Sequence, residues 1–350
     1  MTSETAAGPL QVSEKVAFSD PSNIEIPHVS QLATIPPDRS LAQLAEEVRR
    51  AQDYAGRAKA PATKRAYAAG WRDFLAWTDA RALDARPATP DTVALYLADL
   101  AQRGVKASTI ARRLVVISQA HKEQDLPSPT VSNAVRRVHA GIRRSHGTAQ
   151  DAKAPAVVDD IKRMVEQLPH SHLGQRDRAL LLLGFAGAFR RSELVALDVA
   201  DLNVTRAGLV VTLRHSKTDQ EGAGRRIGIP YGSSRATCPV RSVQAWLAAA
   251  MIKEGPIFRA VDRFGRVQPG RLSDKAVART VKRWAAKAGL DPTRYAGHSL
   301  RAGLATSAAA AGVEERKIAM QTGHTSLVIL RRYIRDGDLF RGNAAGAVGL

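Results

Sequence analysis

The stretch that decides the fold lies near the end of the chain and reads His298-Ser299-Leu300-Arg301, then Gly323-His324, then Tyr333. Upstream of it, Arg190 stands in the sequence Gly187-Ala-Phe-Arg190-Arg-Ser-Glu193-Leu. Cleaving a phosphodiester without a metal requires cations at the two non-bridging oxygens, a nucleophile, and a proton donor for the leaving oxygen. Two arginines, two histidines and a late tyrosine suit these tasks, so the pattern predicts metal-free phosphodiester chemistry with a phenol as nucleophile.

The charge of the chain indicates a polyanionic partner. Its 350 residues include 52 Lys and Arg against 33 Asp and Glu, which gives a formal net charge of +19. The first 40 residues are net acidic, so the excess positive charge belongs to the rest of the chain. A balance of this kind is typical of nucleic-acid-binding proteins, and DNA is the phosphodiester that it favours. Composition alone leaves open a basic surface without a nucleic-acid role.

Several classes of protein are disfavoured by what the sequence lacks. The single cysteine, Cys238, excludes an intramolecular disulfide and a cysteine-based zinc site. The sequence contains no run of 18 apolar residues, no signal peptide, no Gly-x-Gly-x-x-Gly or Walker A motif, and no clustered carboxylates or histidine pairs. We therefore expect a cytoplasmic protein that uses neither a cofactor nor a metal.

Apolar periodicity divides the chain into two domains. Residues 1–39 are rich in Ser, Thr and Pro and predict a disordered arm. Helical patterns that open near Ser40, Thr63, Pro90, Ser108 and Pro129 predict an all-helical domain over 40–146. Residues 147–155 are small and polar and predict a short linker.

The second domain is predicted to cover 156–336, followed by a Gly/Ala-rich tail over 337–350. Two strands are predicted at 209–215 and 226–230, joined by a polar loop over 216–225 with Lys217 near its start. Helices are predicted at 157–168, 176–188, 239–253, 273–288, 298–311, 314–321 and 326–335. The expected fold class is therefore mainly α, with a helical bundle before an α-rich catalytic domain that contains a small antiparallel sheet.

Each candidate residue taken alone also has an ordinary structural explanation. The arginines could be surface charge, Lys217 an ordinary loop lysine, and Glu193 half of a local helix pair. Their joint occurrence in order favours a site instead. Because Glu193 lies one helical turn after Arg190, it is also placed to orient that arginine or a neighbouring histidine.

In this order, Arg190-x-Ser-Glu193-Leu, Lys217, Gly297-His298-Ser-Leu-Arg301, Thr322-Gly323-His324 and Tyr333 resemble the signature of the tyrosine recombinases, the lambda-integrase-type site-specific DNA recombinases. The resemblance extends over about 40–340. The stretch from Thr63 to Trp77 resembles a helix of the core-binding domain of that family. The stretch from Gly104 to Ile110 and the sequence Tyr333-Ile-Arg-Asp are similar to the Cre-like branch.

The resemblance implies cleavage and rejoining of DNA strands without a cofactor. In the family mechanism, Tyr333 would attack the scissile phosphate to give a 3′-phosphotyrosine and a free 5′-hydroxyl. By the same resemblance, the non-bridging oxygens would be bound by Arg190, Arg301 and His324. Lys217 would act as the general acid and His298 as the proton acceptor, and Glu193 would have a supporting structural role.

The resemblance also implies partners. Such enzymes act as homotetramers on two double-stranded DNA sites and exchange strands through a Holliday junction, in integration, excision or resolution. The tail over 337–350 would dock on a neighbouring protomer; a frayed terminus is the alternative. The candidate DNA contacts are Arg65, Arg112 and Arg113, which are expected to face outward from their helices, and Lys275. Localisation on the nucleoid of a bacterium, with a bacterial, phage or plasmid gene, follows from the same resemblance.

Two other functions compete with recombination. A DNA-binding regulator without catalysis is disfavoured because all the catalytic candidates are present. A type IB topoisomerase shares the chemistry, but the helical domain and the tail favour strand exchange over relaxation. The DNA target, the biological outcome and any accessory proteins are open from sequence.

Overall fold

The computed structural model describes residues 41–149, 152–214, 224–324, 326–337 and 348. The chain forms two compact units, and the boundary between them in the sequence lies between Gln150 and Asp151. The predicted arm, Lys217 and most of the predicted tail, with its apolar residues Leu339 and Phe340, lie outside the described residues. No helix in the described ranges is long and apolar enough to cross a membrane.

The described part of the first unit is helical throughout. Its helices are α1 (Leu41–Arg57), α2 (Pro61–Asp79), α3 (Pro90–Gln102), α4 (Ala107–Lys122) and α5 (Asn133–His146), with a 3₁₀ turn at Pro129–Val131. The Thr89 hydroxyl accepts the Thr92 N–H at 3.1 Å and caps α3. The Ser132 hydroxyl accepts the Val135 N–H at 3.3 Å, so the last helix begins after Ser132 rather than directly after Pro129.

Three aromatic rings lie at the centre of the hydrophobic core of this unit. Phe74 and Tyr96 pack edge to face with ring centroids 4.9 Å apart, and Trp77 lies 5.3 Å from Tyr96. The Tyr96 hydroxyl donates to Asp73, so burial and that hydrogen bond raise the pKa of the phenol. The apolar faces of α2 and α3 therefore meet, as the periodicity indicates.

The predicted outward orientation of Arg113 is wrong. Its guanidinium lies against Gly70 of α2 and pairs with Asp73 at 3.5 Å, which leaves the side chain 23% exposed. Arg112, its neighbour on α4, is exposed. Arg113 turns inward because Gly70 leaves room for it and Asp73 offers a carboxylate.

The second unit combines helices with two small sheets. Its elements are α6 (Val158–Glu166), α7 (His172–Ala186), α8 (Arg191–Ala196), β1 (Leu202–Val204), β2 (Gly208–Leu213), β3 (Arg225–Pro230), α9 (Pro239–Ala249), β4 (Arg259–Val261), β5 (Val267–Arg271), α10 (Asp274–Lys287), α11 (Ser299–Ala310), α12 (Glu315–Thr322) and α13 (Leu327–Gly337). One antiparallel sheet has the order β1-β2-β3, and β4 pairs with β5 in a second. The predicted fold class is confirmed.

Helix α7 organises the core of this unit. Its residues from Ala179 to Leu183 are at most 4% exposed. Leu180 and Leu183 pack with the sheet and α9, whereas Leu181 and Leu182 pack with residues of α6, α10 and α11. The helix begins at His172, earlier than predicted, because the Ser171 hydroxyl accepts the Gly174 N–H at 3.3 Å. Its carboxyl end leads directly to Arg190.

Four short elements were missed from the sequence. They are α8, β1, β4 and β5, of six, three, three and five residues. Segments of this length complete too few periods to be distinguished from loops. The predicted hairpin, in contrast, forms with Leu213 opposite Arg225 and Gly208 opposite Pro230.

Candidate active site

A tight turn between α7 and α8 positions Arg190. Arg190 precedes α8 in extended conformation, and the Glu193 carboxylate accepts its backbone N–H at 2.9 Å. The other oxygen of Glu193 pairs with the Arg190 guanidinium. Glu193 is only 3% exposed, so it contacts both the backbone and the side chain of Arg190 from the interior of the protein. The neighbouring Arg191 pairs instead with Asp274 of α10 at 3.1 Å.

Arg301, in the first turn of α11, is 1% exposed. One guanidinium nitrogen, Nη1, donates to the carbonyl of Ala188 at 2.9 Å. Its Nε and Nη2 atoms are buried and have no hydrogen-bond partner among the described residues. Burial and the nearby Arg190 lower the pKa of Arg301 to about 10, although Glu193 opposes the shift. Two unused donors on a buried cation form a binding position for an anion.

His324 is oriented by the residue that ends α12. The Thr322 hydroxyl donates to the carbonyl of Ile318 at 2.7 Å and lies 2.8 Å from His324 Nδ1. Since that hydroxyl has only one proton, Nδ1–H donates to it, and Nε2 is left as the free nitrogen of the neutral ring. Burial, with Arg301 and Arg190, lowers the pKa of His324 to about 4, so the ring is neutral at pH 7.

His298 immediately precedes α11, where the chain turns into the helix that carries Arg301. It is exposed to solvent. Partial burial, together with the charges of Arg301 and Arg190, lowers the pKa of its imidazole. The ring is therefore neutral at pH 7 and has a lone pair that accepts a proton.

Tyr333 lies on α13, and its ring is half-buried. The rings of Tyr333 and His324 have centroids 6.1 Å apart and planes tilted by 41°. The Thr306 hydroxyl of α11 donates to the Tyr333 carbonyl at 3.4 Å, and the side chain packs against the cluster that includes Ala305 and Leu330. Because α13 packs on α11, Tyr333 lies near Arg301 and His324.

The fold gathers the sequence-predicted residues from four segments. Arg190 and Glu193 come from the start of α8, His298 and Arg301 from the start of α11, His324 from the turn after α12, and Tyr333 from α13. Lys217 lies outside the described residues. The described residues contain no group of three or more His, Cys, Asp or Glu side chains that could hold a metal.

Sequence reasoning missed one cation of the cluster, Arg225. This first residue of β3 is half-buried, and its guanidinium donates to carbonyls at the end of α12. Burial and the charge of Arg190 lower its pKa, while Glu193 opposes the shift. The sequence places Arg225 at the end of a polar loop, and its partners lie about 95 residues away, so no local signal identifies it.

The candidate DNA contacts lie apart from this cluster in sequence. Arg65 on α2, Arg112 on α4 and Lys275 at the start of α10 are exposed. Arg113 is half-buried and paired, as described above.

Comparison with known proteins identifies relatives over most of the chain. The Phage integrase family matches residues 157–338, and the domain described as Phage integrase, N-terminal SAM-like domain matches residues 54–123. The chain is 41% identical over 292 residues to an integrase/recombinase xerD homolog of Selenomonas ruminantium, which covers 82% of this chain and 85% of that protein. It is 27% identical to the recombinase cre of Escherichia phage P1, over 76% of this chain and 82% of that protein.

A solved structure shares the fold at low sequence identity. The crystal structure of a lambda integrase dimer bound to a COC′ core site matches 88% of this chain and 84% of that chain. The TM-score is 0.56 at 15% identity.

Proposed function

The chain belongs to the phage integrase family and is a tyrosine-type site-specific DNA recombinase, and we propose that its reaction proceeds by attack of Tyr333 on a phosphate bound by Arg190, Arg301 and His324. The observation that carries these roles is the buried Arg301 with two unused donors, close to both His324 and Tyr333. A polar group buried without a partner is costly, and a bound phosphate would satisfy both donors.

Binding of the phosphate uses the fork geometry of arginine. Arg190 comes from the turn before α8 and Arg301 from α11, and each guanidinium offers several N–H donors in one plane. Glu193 engages Arg190 from its buried side, which leaves the remaining donors of Arg190 for a ligand. Cations held in place before the substrate arrives stabilise the charge that develops on the non-bridging oxygens.

The covalent step breaks one phosphodiester bond and forms another. The Tyr333 oxygen attacks phosphorus, the bond to the 5′-oxygen breaks, and the DNA remains attached to the protein as a 3′-phosphotyrosine. His298, neutral with a free lone pair, accepts the phenol proton. We propose that Lys217 donates the proton to the departing 5′-oxygen. Rejoining is the reverse step with the 5′-hydroxyl of another strand, so no external energy source is needed.

Trapping the covalent complex tests this proposal. The wild-type protein is incubated with DNA from its own genetic neighbourhood, denatured in detergent and digested with protease. Mass spectrometry is expected to find a nucleotide phosphate on the peptide that contains Tyr333. An adduct on another side chain would contradict the assignment. Site-independent relaxation of supercoiled DNA without strand exchange would favour the topoisomerase alternative.

The low pKa of His324 predicts that DNA binding takes up a proton. Phosphate adds negative charge beside the ring and offsets the cations that lower this pKa to about 4. Between that value and the higher pKa of the complex, the complex holds more protons than the free protein, so affinity should rise as pH falls through this window. Calorimetry at about pH 5.5 in two buffers of different ionisation enthalpy measures the uptake. His324→Gln should reduce it, and an unchanged uptake would exclude His324 as the source.

The exposed cations are proposed to contact the DNA backbone. Arg65 and Arg112 belong to the helical domain over 40–146, and Lys275 belongs to the catalytic domain over 156–336. Arg112→Gln is expected to weaken binding and to lower the salt slope of the binding constant by about 1, as loss of one phosphate contact does. Arg112→Lys keeps the charge and should retain the slope. Equal slopes for the glutamine variant and the wild type would remove Arg112 from the interface.

The assembly that we propose is a homotetramer on two duplex sites, formed on nucleoid DNA in the cytoplasm. Residues 337–350 would dock on a neighbouring protomer, and exposed Val348 (72%) supports an apolar contact there. Mass photometry of the protein with a two-site DNA checks the stoichiometry. Four protomers are expected on the full chain, and fewer on a chain that ends after residue 336.

A further inference from the structure

We infer that Arg225 is a positioning residue that joins the base of the β2–β3 hairpin to the turn that holds His324. This inference deepens the proposed function, because it concerns the same phosphate site. It rests on the contacts of the Arg225 guanidinium, on the space that it occupies, and on its place in the hairpin.

The first observation is a set of hydrogen bonds at the end of α12. Arg225 Nη1 donates to the carbonyls of Met320 at 3.2 Å and Gln321 at 3.3 Å, and Nη2 donates to the carbonyl of Thr322 at 3.4 Å. The last carbonyls of a helix have no partner within the helix and carry partial negative charge. A guanidinium suits this place because its planar fork meets several acceptors at once.

The second observation is the fit between Arg225 and Gly323. Gly323 ends the helix in the left-handed region at φ 64°, and its N–H donates to the Ala319 carbonyl at 2.7 Å. A Cβ on Gly323 would stand 2.5 Å from Arg225 Nη1 and 2.6 Å from its Cζ. Glycine suits this position because of its left-handed backbone conformation, and a side chain here would push the guanidinium of Arg225 away from the end of α12.

The turn that Arg225 supports continues directly into the catalytic candidate. Thr322 is fully buried, its carbonyl accepts from Arg225, and its hydroxyl accepts from His324 Nδ1. A substitution at Arg225 is therefore expected to alter the position of His324 through Thr322, which contacts both residues. In addition, the positive charge of Arg225 contributes to the low pKa of both Arg301 and His324.

The third observation is the position of Arg225 in the hairpin. It pairs with Leu213, so it stands at the base of the connection between β2 and β3. The sequence of that connection includes Lys217, the proposed general acid. One arginine thus fixes the strand that follows Lys217 to the helix end that precedes His324.

Arg226 provides a matched control within the same strand. Successive side chains of a strand point to opposite faces, and Arg226 is exposed whereas Arg225 is half-buried. Both residues have the same charge and neighbouring positions, but only Arg225 makes the contacts with the end of α12 described above.

The test compares Arg225→Met, Arg225→Lys and Arg226→Met in single-turnover cleavage of a DNA substrate that traps the adduct. We expect Arg225→Met to cleave more slowly by on the order of a hundredfold, the scale of a misplaced catalytic group, with unchanged affinity for DNA. Arg225→Lys should recover part of the rate, and Arg226→Met should cleave like the wild type. Titration of His324 by NMR should give a higher pKa in Arg225→Met than in Arg226→Met.

Three results would overturn the inference: a wild-type cleavage rate in Arg225→Met, equal losses in Arg225→Met and Arg226→Met, or an unshifted His324 titration. If Arg225→Met does not fold, Arg225→Lys carries the comparison, and a wild-type cleavage rate in Arg225→Lys then overturns the inference, because lysine lacks the planar fork that meets several carbonyls at once. Failure of the proposed function is distinguishable, because the wild-type protein would then form no adduct on Tyr333 while the NMR titration still decides the role of Arg225.

Discussion

Replacing Tyr333 with phenylalanine is expected to abolish the covalent protein–DNA adduct and to leave DNA binding unchanged. The substitution removes only the nucleophilic oxygen. The ring keeps its packing against the cluster of α11, α12 and α13, and the backbone carbonyl still accepts from Thr306. Loss of a covalent nucleophile lowers the rate of other enzymes by on the order of a millionfold, so the adduct should fall below detection.

A matched substitution makes this result specific. Tyr231 is half-buried in the same unit and lies beside the guanidinium of Arg241, away from the cluster in sequence. Tyr231→Phe should form the adduct at the wild-type rate. Gel electrophoresis of radiolabelled DNA after denaturation measures both variants, and a gel shift measures binding. An adduct that persists in Tyr333→Phe would assign the nucleophile to another residue.

Replacing Arg301 with methionine is expected to abolish cleavage and to raise the stability of the DNA-free protein. Arg301 is 1% exposed, and two of its donors have no partner among the described residues. Because its pKa is about 10 in the folded protein and higher in the unfolded chain, the cost of its charge is fully present at neutral pH and is relieved only above about pH 10. That cost is on the order of 3 kcal/mol.

Methionine removes the charge but fills a similar volume. It also leaves the Ala188 carbonyl without the Arg301 donor, a loss of about 1 kcal/mol. The net expectation is a gain of about 2 kcal/mol in the free energy of unfolding, measured by urea denaturation at pH 7. A decrease would contradict the view that this arginine is held ready for a phosphate at a cost in stability.

Arg176, in the same unit, is a buried arginine that does have a carboxylate partner. It is 5% exposed, but it pairs with Asp177 at 2.6 Å, and Asp177 also accepts the Trp284 N–H at 2.7 Å. Arg176→Met removes one partner of a buried pair and should destabilise the protein by about 3 kcal/mol or more. The two substitutions have the same chemistry and opposite expected signs, because only Arg301 lacks a counterion of its own.

Much of the fold could be predicted because its determinants are local. Prolines at the start of α2 and α3 and the capping hydroxyls of Thr89, Ser132 and Ser171 act within one turn of helix. Apolar periodicity extends over the long helices and identifies their buried faces. The short α8 and the strands β1, β4 and β5 are too short to show such periodicity, and pairing partners elsewhere in the chain stabilise the strands.

Residue types and their order along the chain were sufficient to select Arg190, Glu193, His298, Arg301, His324 and Tyr333 as candidates and to predict phosphodiester chemistry, because that chemistry limits which side chains are suitable. Only the tertiary structure decided three further points: that Arg113 turns inward to Asp73, that Arg301 keeps two unused donors, and that Arg225 supports the turn before His324. Each depends on atoms that are distant in sequence, and their interactions exist only after the helices have packed.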